Sequence, residues 1–434
     1  RSARSNSGRI FCKRSDGRLM EAFHYQNGEL YIEDMPAQEV ASAYGTPGYI
    51  YSRAAIETAY KAFSSAFSSH DHLICYAVKA NSNLGVLSLF ARMGAGFDIV
   101  SGGELERVIR AGGDPTKVVF SGVGKQDPEI IAALTAGIAC FNVESRQELE
   151  KINYLAQTLG LKAPISIRVN PDVDAKTHPY ISTGLKENKF GCSMSDAVDM
   201  YKLAATLSNL KISGIDSHIG SQITELAPFL DAMTKILTLV DEIESNNIAI
   251  DHIDVGGGLG VQYAEEEPIH LEEYASALSQ LMGHRKSKLI FEPGRYLTAN
   301  AGILVSKVIN IKQNEGKNFA IIDAGMNDLI RPALYSSWQQ ITEVTKTEVD
   351  TKKYDVVGPI CETGDFLGKN RDLSLAPDDL VAIHSAGADG FVMSSNYNSR
   401  NKPAEVIVSG SKAHCVRSRE TIDDQLKLER KFPI

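Results

Sequence analysis

The hexapeptide Tyr76-Ala77-Val78-Lys79-Ala80-Asn81 puts a lysine at the end of an apolar, strand-like run. An ammonium is costly to desolvate without a partner, and burial pushes lysine toward the neutral amine. A neutral amine at a strand end is the group an enzyme uses to form a Schiff base with an aldehyde. The alternative is a lysine that snorkels out of a strand edge, and an isolated Val-Lys-Ala favours it. The other reactive residues decide between the two.

If Lys79 carries a phosphorylated aldehyde such as pyridoxal phosphate, three further parts are required. These are a cradle for the phosphate, a partner for the ring nitrogen and a group that fixes the ring's face. Asp254-Val255-Gly256-Gly257-Gly258-Leu259-Gly260 offers backbone N–H groups that an anion can approach closely. Glu292-Pro293-Gly294-Arg295 offers a carboxylate that would keep a pyridine nitrogen protonated, and a planar fork for an anion. Taken alone, a glycine run is often only a turn, and a Glu292–Arg295 surface pair would be worth little. In Ser217-His218-Ile219-Gly220-Ser221 the imidazole could stack on the ring and Ser221 could offer a hydroxyl to the phosphate. A satisfied core histidine is the competing reading there. Ser101 and Glu104 read first as a capping box before an apolar helix.

The elements that must position these groups can be read from hydrophobic periodicity. Between residues 49 and 297, apolar runs at 73–80, 96–100, 117–121, 139–143, 165–170, 212–218, 250–255 and 289–292 alternate with helix-period stretches such as 104–111, 127–136, 146–159 and 271–281. Eight strand–helix units predict a (β/α)8 barrel of the TIM type, an α/β fold. A doubly wound sheet also alternates, but no Gly-x-Gly-x-x-Gly follows the first strand. The strand ends carry Lys79, Asp98, Ser121, Asn142, Glu144, Arg168, Asn170, His218, Asp254 and Glu292. Barrel enzymes build their sites on that rim, and their phosphate sites favour the loops after strands seven and eight. After residue 298 short strands follow one another with little helix between them, which predicts a C-terminal all-β domain over 298–434. The segment 20–48, with a strand at Glu29–Ile32, is expected to join that β domain before the chain enters the barrel at 49.

The chain has 434 residues, a formal net charge of −9, 43% hydrophobic and 23% charged residues. That size predicts two domains, and the acidic balance argues against nucleic acid or an anionic membrane as partner. No apolar run is long enough to span a bilayer. Six cysteines, without Cys-x-x-Cys or zinc-like spacing, point to a reducing cytoplasm and to no metal site. Five of them read as apolar fillers, and Cys361 stands apart beside Glu362. Residues 1–19 lack an apolar signal core and are expected to be disordered, either as an extension before a natural start at Met20 or, acidic residues being scarce there, as a cleaved organelle-targeting peptide.

The ordered motifs together resemble the pyridoxal-phosphate group-IV decarboxylases, whose barrel is of the alanine-racemase type. The resemblance rests on Tyr76–Asn81, Phe97–Leu105, Asn170–Val173, His178–Tyr180, Lys189–Gly191, Gly256–Gly260, Glu292–Arg295, Asn327–Tyr335, Cys361–Asp365 and Met393–Arg400. It implies that Lys79 bonds the cofactor aldehyde, Glu292 pairs with the pyridine nitrogen, Asp98 lies at the cofactor and His218 stacks on the ring. It further implies that Ser221, Gly257, Gly258, the backbone of Gly294 and Arg295, and Tyr397 hold the phosphate, and that Arg295, Arg331, Tyr335, Glu362 and Tyr397 contact substrate. By the same resemblance Cys361 and Glu362 reach the neighbouring subunit's site in a homodimer, and Cys361 is the proton donor. One position departs from the family pattern: Ala386-Gly387-Ala388-Asp389-Gly390 has aspartate where the family has tyrosine.

Chemistry separates the family's branches. A racemase would place an arginine at the ring nitrogen and so limit its pull on electrons, whereas Glu292 suits decarboxylation. Decarboxylases of ornithine or arginine need only acidic groups for the distal cation. Arg331 with Arg295 can take an anion while Glu362 takes a cation, which fits meso-2,6-diaminopimelate. The resemblance implies that the carboxylate lost is the one at the D-centre, giving L-lysine. A decarboxylase of another basic amino acid and a non-catalytic binding relative are the alternatives.

Overall fold

The computed structural model describes residues 11–13, 19–175, 183–184, 188–347 and 350–433. The motif His178–Tyr180 and most of the stretch 1–19 lie outside the described residues. Phe11–Lys13 is described as a strand antiparallel to Leu19–Glu21.

Eight parallel strands form the barrel: β1 (His72–Ala77), β2 (Gly96–Ile99), β3 (Val118–Phe120), β4 (Cys140–Val143), β5 (Ala163–Asn170), β6 (Leu210–Asp216), β7 (His252–Asp254) and β8 (Lys288–Phe291). Their order is β4-β3-β2-β1-β8-β7-β6-β5, and β4 pairs with β5 to close the ring. Strands covered on both faces read as continuous apolar runs, which is why each was visible in the sequence. Four of the intervening helices start on side-chain caps: Asn83, Ser101, Ser145 and Ser193 each accept a backbone N–H. Cys75, Val119, Cys140 and Ile290 form one apolar cluster on β1, β3, β4 and β8. Toward the C-terminal strand ends the interior turns polar, with Asp98, Asn142, Asp216, Asp254 and Glu292 all buried.

The chain divides into two compact units. One comprises Ala59–Gln262 and Glu267–Leu297, and the other comprises the segment ending at Thr58, Tyr263–Glu266 and Thr298 onward. Residues 49–58, expected with the barrel, therefore cluster with the β unit. The reason is Gly48–Ser52, a strand buried throughout that runs antiparallel to Gly302–Asn314 and parallel to Ala404–Ser409. The β unit also holds Lys317–Ile322, Lys352–Val357, Phe366–Leu373, Leu380–Ile383 and Lys412–Arg417. Phe366–Leu373 escaped the sequence reading because Lys369-Asn370-Arg371-Asp372 interrupts its apolar pattern. Glu29–Ile32 pairs within a small sheet of this unit. Its apolar core gathers Leu30, Ile32, Ile50, Ile303, Val305, Val344, Ala382, Val406 and Val408.

Candidate active site

β1 ends in a turn of 3-10 helix, Val78–Ala80, which carries Lys79 out of the strand. Its side chain is 49% exposed, and Nζ lies 3.3 Å from Asp98 Oδ2 on β2. Desolvation lowers the pKa of this ammonium, but Asp98 and Glu292 together outweigh it, so the net shift is upward. The neutral amine expected from the sequence is therefore corrected to a paired, charged one. Its counter-charge stands on the neighbouring strand, where local sequence cannot reveal it.

Glu292, directly after β8, is buried with Oε1 accepting from Ser121 Oγ and Asn142 Nδ2, each at 3.3 Å. Carboxylate oxygens of Glu292, Asp254 and Asp216 lie within 4.8 Å of one another. Burial first, then the charges of Asp254, Asp98 and Asp216, push the Glu292 carboxyl well above the ordinary range. Burial likewise raises Asp254 to about 7, against the Gly256 N–H bond that lowers it. Asp216 also rises, through burial and then Asp254, with Arg168 opposing. Arg168 is a second cation here beside Lys79, with Nη1 3.2 Å from Glu144 Oε1 and Nε 3.8 Å from Asp216 Oδ2. So many carboxyls around so little positive charge must retain protons. Asp216 was not singled out in the sequence, although an acid directly before Ser217-His218 in an apolar strand was a signal.

His218 Nδ1 accepts the Gly257 N–H at 3.1 Å, which leaves the proton of the neutral ring on Nε2. Burial, then Lys79 and Arg168, hold its pKa well below the ordinary value, so the ring is uncharged near neutral pH. The glycine run is required by close approach. A Cβ on Gly257 would stand 2.2 Å from the Glu292 carbonyl oxygen, and one on Gly258 would stand 2.4 Å from that of Gly220. Gly294 packs against Ala77 and Ala80, on either side of Lys79's turn. Arg295 donates from Nε and Nη2 to Ser221 Oγ at 3.3 and 3.2 Å. Ser101 caps its helix, but Glu104 reaches back to the Val100 N–H, a shifted form of the expected capping box.

These residues fit pyridoxal phosphate. An amine stands at the rim, and a proton-holding carboxyl lies in the interior. A hydroxyl and a guanidinium adjoin the glycine turn. Asp98 Oδ1, buried beside Lys79, has no hydrogen-bond partner among the described residues and remains available to one.

The remaining expected residues lie in the β unit, where three sequence motifs converge. Buried Asp365 accepts from Met326 N and Ile360 N at 2.6 Å each, which ties Cys361–Asp365 to the loop before Asn327. Asn327 O accepts from Ser395 N at 2.9 Å. Asn398 Oδ1, a group the sequence reading overlooked, accepts the Cys361 N–H at 3.0 Å, and Tyr397 Oη donates to Glu362 Oε1 at 2.5 Å. That bond raises the Tyr397 pKa. Cys361, Glu362 and Tyr397 are all exposed, whereas Arg331 is buried on a short helix, Arg331–Tyr335. Its guanidinium faces the rings of Tyr263 and Tyr335 at 5.2 and 5.6 Å. Among the supposed filler cysteines, Cys75 and Cys140 are buried but Cys415 is exposed.

A closed barrel with a rim lysine, a glycine turn after β7 and a buried acid after β8 defines a class of cofactor-dependent barrel enzymes. Residues 53–299 match the family described as pyridoxal-dependent decarboxylase, pyridoxal binding domain. The chain is 57% identical over 416 residues to the diaminopimelate decarboxylase of Vibrio cholerae serotype O1, covering 95% of this chain and all of that one. The crystal structure of diaminopimelate decarboxylase from Helicobacter pylori complexed with L-lysine is 44% identical with a TM-score of 0.88, covering 90% of this chain and 98% of that one. The enzyme of the same name from M. jannaschii, in co-complex with L-lysine, is 36% identical with a TM-score of 0.91 over 95% of this chain and 98% of that one. The chain belongs to the pyridoxal-dependent decarboxylases, within the diaminopimelate decarboxylase family.

Proposed function

We propose that this protein decarboxylates meso-2,6-diaminopimelate at its D-centre to give L-lysine and carbon dioxide, the last step of lysine biosynthesis, using pyridoxal phosphate. The observation that carries this reading is similarity along nearly the whole chain to proteins of that name. When bound, pyridoxal phosphate supplies an aldehyde that takes up the substrate amine and a ring that accepts the electron pair left by carbon dioxide. Lys79 would hold the aldehyde, and Asp98 keeps its free ammonium in place. Glu292 presents a proton to the ring nitrogen from a dry interior, where its effect on charge is strongest. The neutral His218 stacks on the ring without adding positive charge. Ser221, Gly257, Gly258, Gly294, Arg295 and Tyr397 bind the phosphate.

At the distal end of the substrate, Arg331 with Arg295 takes the carboxylate and Glu362 takes the ammonium, with Tyr335 and Tyr397 beside them. Cys361 returns a proton to the carbon that lost its carboxylate. The exposure of Cys361 and Glu362 supports a homodimer in which these two residues serve the partner's site. The division into a cofactor-holding barrel and a β domain that takes in the N-terminal segment belongs to this proposal, as does a cytoplasmic location. Among the described residues no helix is long and apolar enough to cross a membrane.

A substrate panel tests the reading. Purified protein with cofactor should release carbon dioxide from meso-diaminopimelate and far less from ornithine, arginine or lysine. Preference for ornithine or arginine would move it to another branch, and no release from any would leave a binding relative.

A further inference from the structure

Arg331 already faces a carboxylate of its own chain. Its Nη1 lies 3.3 Å from Asp389 Oδ2, and the two side chains are 5% and 22% exposed. Tyr263 and Tyr335 flank the guanidinium, so the pair sits where water screens little. The loop that carries Asp389 is held by its backbone. Ala386 N donates to Gly302 O at 2.9 Å, and Gly387 N donates to Ala299 O at 3.0 Å. A Cβ on Gly387 would stand 1.9 Å from Thr298 O, and one on Gly390 would stand 2.6 Å from Ala386 O. Asp389 itself has φ +51°, a conformation that asparagine and glycine also accept. The placement of position 389 is therefore set in large part by the backbone of its loop.

We infer that Asp389 is a specificity-determining residue: a resident carboxylate on Arg331 with which a ligand's distal carboxylate must compete. This rests on the proposed role of Arg331. A ligand carboxylate arriving at Arg331 either displaces Asp389 or shares one guanidinium with a second negative charge. Both weaken the binding of anionic ends relative to an uncharged residue at 389. A ligand whose distal end carries no carboxylate escapes that penalty. Asp389 thus narrows the preference for a carboxylated distal end that Arg331 creates, because specificity is a difference of affinities.

L-lysine and cadaverine separate these terms. L-lysine keeps the carboxylate and ammonium of the centre that does not react, whereas cadaverine has two amines and no carboxylate. Inhibition of the holoenzyme by each should be measured for the unchanged protein, Asp389→Asn and Asp389→Gly. The expected result is a Ki for L-lysine lowered about 2- to 5-fold in both variants, the range for removing one competing, partly screened charge. The Ki for cadaverine should stay level or rise, so the ratio of the two moves. An unchanged ratio in both variants overturns the inference. A higher Ki for L-lysine also overturns it, because Asp389 would then be holding Arg331 in position for the ligand. Arg331→Gln completes the set. If it leaves the Ki of L-lysine unchanged, the role of Arg331 falls and the inference with it. If it raises that Ki while the Asp389 variants leave the ratio unchanged, only the inference falls. Carbon dioxide release from meso-diaminopimelate by the unchanged protein tests the activity separately.

Discussion

In the barrel unit Asp98, Asp254 and Glu292 are at most 5% exposed, whereas in the β unit Cys361, Glu362 and Tyr397 lie on the surface and Tyr397 is 45% exposed. The barrel set is fixed by strand ends and by backbone packed too closely for any side chain but hydrogen at Gly257. The β-unit set sits on loops tied to one another through Asn398 and Tyr397. The barrel unit thus offers, from a single chain, the fixed low-dielectric field that the proposed ring chemistry needs. The β-unit residues proposed for substrate and proton return are open to solvent, as residues that serve a partner's site would be.

The contrast can be broken at several points. The largest effect belongs to Glu292→Ala, which should lower carbon dioxide release by about 100-fold or more while the visible absorbance of bound cofactor persists. Retention of near-normal turnover would show that the interior acid does not tune the ring. Next, Lys79→Ala and Cys361→Ala should each be nearly inactive alone. Mixed and re-equilibrated, they should recover up to about a quarter of normal activity, the share expected if one competent site forms in a shared dimer. Failure to recover would place Cys361 in its own chain's site. Gly257→Ala brings a Cβ to 2.2 Å from Glu292 O, so thermal unfolding should show a loss of about 1–3 kcal/mol. An unchanged Tm would mean that the turn yields where it is described as rigid.

A pH dependence in the β unit offers a further test. Burial raises the Asp328 carboxyl to about 7, against the Gly325 N–H bond that lowers it, from an ordinary value of 3.8. The folded state therefore binds this proton more tightly than the unfolded chain does. The contribution to stability is full below the unfolded value and is lost as pH rises through about 7. Asp328→Asn should gain on the unchanged protein as pH rises from 4 to 7, measured by urea unfolding across that window. A constant difference would mean that the carboxyl titrates normally.

How much of this was legible in the sequence follows from the same contrast. The eight barrel strands were readable because burial on both faces writes an unbroken apolar run, and Glu292 and the glycine turn were readable because they end such runs. Gly48–Ser52 reads as the same kind of run, yet its partners are Gly302–Asn314 and Ala404–Ser409, so periodicity could not assign it to the β unit. The charge state of Lys79 depends on Asp98 across a strand pair, and the Arg331–Asp389 contact joins positions 58 apart in the chain. Local patterns report burial and backbone geometry. They do not report which charge meets which, and the electrostatics of each unit is decided by those meetings.

The central claim is that Lys79 carries the cofactor, and covalent trapping tests it most directly. Holoenzyme reduced with borohydride, digested and sequenced by mass spectrometry should carry the pyridoxyl group on the peptide containing Lys79, with none in Lys79→Ala. A pyridoxyl group on any other lysine of the active enzyme, or an unmodified Lys79 in protein that still releases carbon dioxide, would contradict the account.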